Sequence, residues 1–138
     1  MLPDQFRINV ENQTGGTIDA SLITIKYRGK YFDATGTLTF ESESSDIANQ
    51  GSGLTDTSFT AGTTVDNGAK ADPLIEADIW VSLALSTNTA TPSGSVNIYL
   101  QRATADTANW PTNGEGDELL GSVEFTSKTD KVWTRTIR

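Results

Sequence analysis

Residues 76–101 read EADIWVSLALSTNTATPSGSVNIYLQ, and their aliphatic side chains fall on alternate positions. Ile79, Val81, Leu83 and Leu85 form one set, and Val96, Ile98 and Leu100 a second. A period of two puts each set on one face of an extended strand. The gap between them is built of Ser, Thr, Asn, Pro and Gly, so the stretch is expected to form a hairpin. Seven aliphatic side chains at roughly 1.5–3 kcal/mol each give a gross burial of about 10–20 kcal/mol. No other segment offers as much, so this stretch is expected at the centre of the core.

The flanking sequence carries the same period. Phe6, Ile8 and Val10 alternate and lead into the turn signal Asn12-Gln13-Thr14-Gly15-Gly16. Residues 17–27 follow, with Ile23, Ile25 and Tyr27 on one face and Leu22 on the other; their β-branched run favours strand over helix. Arg28-Gly29-Lys30 reads as a short turn, and Leu38 and Phe40 as inward residues of the next strand. Residues 41–71 have few apolar groups, with Ile47, Leu54, Phe59 and Val65 the sizeable ones. They are expected to form a surface excursion with one short strand near residues 57–60, either a loop without a role or an arm touching a neighbouring subunit.

After a loop at 103–118, Leu119, Val123 and Phe125 mark another strand, with Gly121 on the same face where backbone approaches closely. Residues 132–137 give the last strand, with Trp133 and Ile137 on one side. It reads either as the strand that closes the sheet or as the point beyond which the natural chain continues. No amphipathic helical stretch, fixed-period repeat or domain boundary is seen. Seven or eight short strands in 138 residues point to an all-β fold: a single antiparallel two-sheet sandwich over 1–138, of jelly-roll or Greek-key type.

The chain has no cysteine and no histidine. Disulfides, thiolate chemistry, Ser-His-Asp triads and the usual zinc sites are therefore excluded. A formal charge of −8 without a Lys/Arg cluster argues against nucleic acid as a partner. No apolar run is long enough for a membrane span and the first residues lack the pattern of an export signal, so a soluble chain with no membrane partner is expected.

Three features bear on binding or chemistry. In the loop NWPTNGEGDE, Asn113, Glu115, Asp117 and Glu118 could offer oxygen ligands to calcium. Their spacing does not match the calcium-loop pattern, so the loop is read as a solvated acidic turn and no metal or cofactor is assigned. Trp110, before a proline in the same loop, is either a stacking platform for a sugar ring or a plug at one end of the sandwich. Trp80 has the opposite parity to Ile79 and Val81 and so faces outward or under a loop, where it would mark a protein contact. Trp133 is read as core. Trp110, Trp80 and Phe59 are the candidate partner or glycan contacts, with Tyr99 a further candidate for a glycan. The carboxylate clusters Glu41/Glu43 and Glu115/Asp117/Glu118 lack apolar surroundings that would raise one pKa, so no catalytic residue is assigned.

The strand DIWVSL (78–83), the strand SVNIYL (95–100), the N-W-P loop ending in glycine (109–116) and the strand LLGSV (119–123) together resemble small structural proteins of tailed bacteriophages, the capsid cement (decoration) proteins and related head and tail accessory proteins. The resemblance covers about residues 76–138. It implies a jelly-roll-like module in the virion, without enzymatic activity, present in many copies as a homo-oligomer and bound to the major capsid protein or other virion proteins. Residues 1–7, as an N-terminal arm, and the excursion at 41–71 are the segments expected to reach neighbours. A carbohydrate- or receptor-binding sandwich is the alternative.

Overall fold

The computed structural model describes residues 2–19, 21–47, 53–103, 110 and 118–138. Ten strands lie among them: β1 (Gln5–Gln13), β2 (Ile23–Phe32), β3 (Leu38–Phe40), β4 (Ser44–Ile47), β5 (Phe59–Ala61), β6 (Val65–Asp66), β7 (Glu76–Ala84), β8 (Gly94–Arg102), β9 (Glu118–Phe125) and β10 (Asp130–Ile137). A single 3-10 turn, Leu85–Thr87, is the only helical element among the described residues. The strands form the expected two-sheet antiparallel sandwich. Sheet 1 runs β5–β1–β8–β9, with β6 also on β1; sheet 2 runs β10–β7–β2–β3, with β4 also on β2.

The ten pieces reduce to eight continuous strands. β3 and β4 pair with successive stretches of β2, and β5 and β6 with successive stretches of β1. Each pair is thus one edge strand broken in the middle. Residues 41–71 therefore supply edge strands to both sheets, and Leu54 and Val65 from this segment are buried in the core.

β7 and β8 hold the central positions that their aliphatic content predicts, but they are not a hairpin. β7 lies between β10 and β2, and β8 between β1 and β9, in opposite sheets. Residues 85–93 are longer than the two to five of an ordinary hairpin loop and suffice to cross the roughly 10 Å between layers. The crossing lets Ile79, Val81 and Leu83 of β7 and Val96, Ile98 and Leu100 of β8 share one core from opposite sheets. The β1–β2 connection crosses in the same way. β1 pairs with β8 and β2 with β7, so the two arches lie side by side, the non-consecutive pairing of the Greek-key kind.

Buried asparagines tie these arches together. Asn88 donates to the Thr17 and Ala90 carbonyls and accepts from the Asp19 N–H at 2.7 Å. Asn12 donates to the Gly16 and Leu54 carbonyls and accepts from the Thr14 N–H and hydroxyl. These residues, read from the sequence only as turn signals, supply the partners that a crossing backbone would otherwise lack.

Four local expectations are corrected. β2 runs straight through residues 28–30; Gly29 is there because a Cβ at that position would stand 2.5 Å from the buried Leu74 side chain. The turn follows instead at Asp33, whose carboxylate accepts the N–H groups of Thr35 and Thr37, with Gly36 at φ +80°. Leu38 and Phe40 point outward, at 46 % and 50 % exposure. Their register, Phe32↔Leu38 and Lys30↔Phe40, puts them on the face opposite Ile23 and Ile25. Leu119 is likewise exposed, because an irregularity in the β8–β9 pairing between Ile98 and Tyr99 turns it outward while Gly121 stays inward under the Trp133 indole. Finally, residues 2–7 do not form an arm: Leu2 and Phe6 are buried in the core, and β1 begins at Gln5; Met1 lies outside the described residues.

Candidate binding faces of the sandwich

With every core-facing position filled, binding chemistry is left to the outer faces. On sheet 2 the even-numbered residues of β2 and β7 face out. The cations Lys26, Arg28 and Lys30 stand opposite Trp80, Asp78 and Glu76, and Thr134 and Thr136 of β10 stand opposite Trp80 and Asp78. The Arg28 guanidinium lies between two rings, 5.1 Å from the Phe40 centroid and 5.8 Å from that of Trp80. Its charge is attracted to both ring faces. Lys30 bridges Glu76 at 2.8 Å and Asp78 at 3.1 Å.

The electrostatics follow from these contacts. Bonds donated to Glu76, then to Asp78, hold the Lys30 ammonium above its ordinary pKa. The bond from Lys30 holds Glu76 below the usual carboxylate range. At Asp78 burial pushes the pKa up, but bonds from Thr136, Lys30 and Arg28 more than offset it and hold it down. These acids are kept ionised. Between β7 and β10 a shallow hollow of about 210 Å³ is lined by Asp78, Trp80, Thr134 and Thr136. At the opposite edge, Phe32, Leu38 and Phe40 form an apolar strip, each roughly half exposed.

The outer face of sheet 1 is built differently. Arg7, Asn9, Glu11 and Gln13 of β1 stand beside Asn97, Tyr99 and Gln101 of β8. Glu11 is 7 % exposed and accepts from the Gln13 and Asn97 amides and from the Tyr99 hydroxyl, at 2.7–3.0 Å. Asn97 in turn accepts from Ser122 at 2.6 Å. The Arg7 Nε–H donates to the buried Gln101 at 2.6 Å, and its guanidinium lies 4.4 Å from the Trp110 ring centroid. Phe59, opposite Glu11 on β5, packs its ring 6.0 Å from Tyr99.

The structure therefore divides the predicted contact residues. Phe59, Tyr99 and Trp110 share the outer face of sheet 1, while Trp80 stands on that of sheet 2. All of them are half-buried. Trp133 packs against the core, as its alternation with Ile137 predicts. Glu41 and Glu43 do not form a carboxylate pair, since Glu41 binds Lys70 and Glu43 binds Lys26. Of the acidic loop, Asn113, Glu115 and Asp117 lie outside the described residues, and Glu118 opens β9 in an ion pair with Arg102. Among the described residues no group of three acidic side chains is placed to hold a metal ion.

The comparisons are brief. The chain matches no family model, no curated protein sequence and no solved structure. What it binds has to be argued from these two faces.

Sequence reasoning missed Arg28, Phe40 and Glu11. A signal for Arg28 was present: Lys26, Arg28 and Lys30 alternate with Ile25, Tyr27 and Gly29, a strand pattern with one charged face. For Glu11 none was, because a buried carboxylate on the outer side of a sheet depends on neighbours far along the chain.

Proposed function

We propose that this protein is a non-enzymatic structural subunit of a bacteriophage virion, a capsid cement or decoration protein that binds the lattice of the major capsid protein and stabilises it. The observation that carries this reading is the strip Phe32, Leu38 and Phe40 on the outer face of sheet 2, continuous with Arg28 and Trp80. Large apolar and aromatic groups gathered side by side on the surface, with an arginine held between rings, have the composition of interface hot spots. A cement protein needs such a face on a rigid module and no reactive centre. The lack of histidine and cysteine supports the second requirement. So does the downward direction of the resolved carboxylate shifts at Asp33, Glu76, Asp78 and Asp130.

The test is gradient sedimentation of the protein with undecorated phage capsids. The wild-type chain is expected to travel with the particles, and Leu38→Ala combined with Phe40→Ala to lower occupancy about tenfold or more. Equal occupancy would remove this face from the interface. A wild-type chain that never travels with capsids would overturn the virion reading.

A carbohydrate-binding module is the second reading, favoured by one observation. Phe59 and Tyr99 pack together on the outer face of sheet 1, where Trp110 lies against Arg7, among amide, carboxylate and guanidinium groups, the mixture that holds a sugar ring and its hydroxyls. Against it, Glu11, Asn9 and Gln101 are buried. Glycan-array binding lost in Trp110→Ala would favour this reading over the first.

A further inference from the structure

The edges of the two sheets are not equally guarded. β3, β4, β5 and β6 are pieces of two to four residues, too short to template a long partner strand. On the other side of the sandwich, Lys131 donates to the Glu124 carbonyl of β9 and Arg135 to that of Leu120. Inward-pointing cations of this kind blunt an edge. The edge that remains among the described residues is β10, unbroken from Asp130 to Ile137 and exposed at every position except Trp133 and Ile137.

The ladder shows which of its main-chain groups are free. The Ala84 N–H donates to the Leu22 carbonyl. Main-chain direction alternates along a strand, so even-numbered residues of β7 serve β2 and odd-numbered ones serve β10. Through the register Leu83↔Lys131, Val81↔Trp133 and Ile79↔Arg135, the odd-numbered residues of β10 take up those bonds. Val132, Thr134 and Thr136 turn their N–H and C=O groups away from the sheet.

We propose that β10 pairs antiparallel with the β10 of a second copy of this chain, about a two-fold axis at Thr134, joining the two copies of sheet 2 into one continuous sheet. The charge pattern selects the register. With Thr134 on the axis, Asp130 faces Arg138 of the second copy, Trp133 faces Arg135, Val132 faces Thr136 and the two Thr134 side chains meet. Each unlike contact occurs twice by symmetry, and opposite charges and hydroxyl pairs across strands are favourable. Centring on Trp133 instead would set Lys131 directly against Arg135, a repulsive pair. Centring on Val132 would carry Thr136 and Ile137 past the end of the partner strand. Arg138 is paired with Glu76 at 3.1 Å, but its side chain is 79 % exposed, and the guanidinium has further N–H donors to offer Asp130 of the second copy. Val132, at 64 % the most exposed large apolar residue among those described, is covered by the second copy. A two-fold contact closes after two copies and leaves no open end. The dimer does not depend on what the outer face of sheet 2 meets.

Size-exclusion chromatography with light scattering on the full chain tests this. The wild type is expected at the mass of two chains. Thr134→Pro removes an N–H aimed at the second copy and none that serves β7, so it should give the mass of one chain with an unchanged far-UV circular dichroism spectrum. Should that variant fail to fold, Arg138→Asp sets an acid against Asp130 and should weaken the dimer about tenfold. A wild type at one-chain mass up to sub-millimolar concentration would overturn the proposal. So would a two-chain mass that neither variant changes.

Discussion

The two outer faces of this sandwich use similar residues to opposite ends. On sheet 1, polar side chains turn toward one another. Glu11 collects three donors, Arg7 is held by Gln101 and Trp110, and the middle of the face is buried. On sheet 2, ion pairs run along the middle strands and the aromatic and apolar groups stand free at the margin. A polar face that satisfies itself adds to the stability of the fold, whereas a face with exposed rings leaves free energy to be gained from a partner. The first should therefore respond to mutation through stability, and the second through binding.

The largest effect is expected at Glu11. Glu11→Ala removes one buried acceptor and with it a hydrogen bond of Gln13, of Asn97 and of Tyr99. Losing such bonds from half-buried donors costs about 0.5–1.5 kcal/mol each, and solvent can rescue the exposed Gln13. A loss of about 2–3 kcal/mol in urea unfolding is expected. A loss below about 0.5 kcal/mol, the level of an ordinary surface change, would break the contrast, because this face would then be as independent of the fold as the other.

The legible part of this molecule is its core. Alternation at Phe6/Ile8/Val10, Ile23/Ile25, Ile79/Val81/Leu83 and Val96/Ile98/Leu100 picked out four strands on which these side chains are all inside, because burial on one face of a strand imposes a period of two that a single sequence displays. Pairing was not legible. Both β7–β8 in one sheet and β7–β8 across two sheets satisfy the same alternation, and only the length of residues 85–93 argued for the second. Leu38 and Phe40 misled for a related reason: apolar residues at an edge satisfy the same pattern whether they face the core or a partner. Trp80 was read correctly by parity with Ile79 and Val81. Trp110 and Phe59 were singled out as separate candidates; Phe59 reaches Tyr99 through a β5–β1–β8 pairing that links residues far apart in sequence, and Trp110 reaches the same face through Arg7.

A smaller effect is expected from acid on sheet 2. Glu76 and Asp78 have folded-state pKa values below their ordinary 4.5 and 3.8. The unfolded chain therefore takes up protons first as pH falls, and stability declines from about pH 4.5 downward through the lowered folded values. Lys30, raised above 10.5, acts in the opposite sense: its contribution is whole below that pH and is lost as pH rises through its folded value. Asp78→Asn should lower stability at neutral pH by about 1 kcal/mol, discounted for its partly exposed cations, and flatten the acid limb of the pH–stability curve. An unchanged acid limb would mean that these ion pairs contribute nothing net, leaving the rings alone to distinguish this face.

The smallest effect on stability should come from the residues on which the proposed interface rests. Phe40 and Leu38 are about half exposed, and their strand is an edge of three residues. Truncating both to alanine removes the Phe40 ring from Arg28 and Lys30 but opens no cavity in the core. The melting temperature should therefore stay within a few degrees of wild type, as for surface changes of about 0.5 kcal/mol each. A large fall would mean that the strip is held by the fold and is not offered to a partner, and the distinction between the two faces would fail on the side where the proposed function rests. A small fall together with lost capsid occupancy would place the free energy of these rings in the complex, where an exposed aromatic side chain gives up its contact with water only on docking.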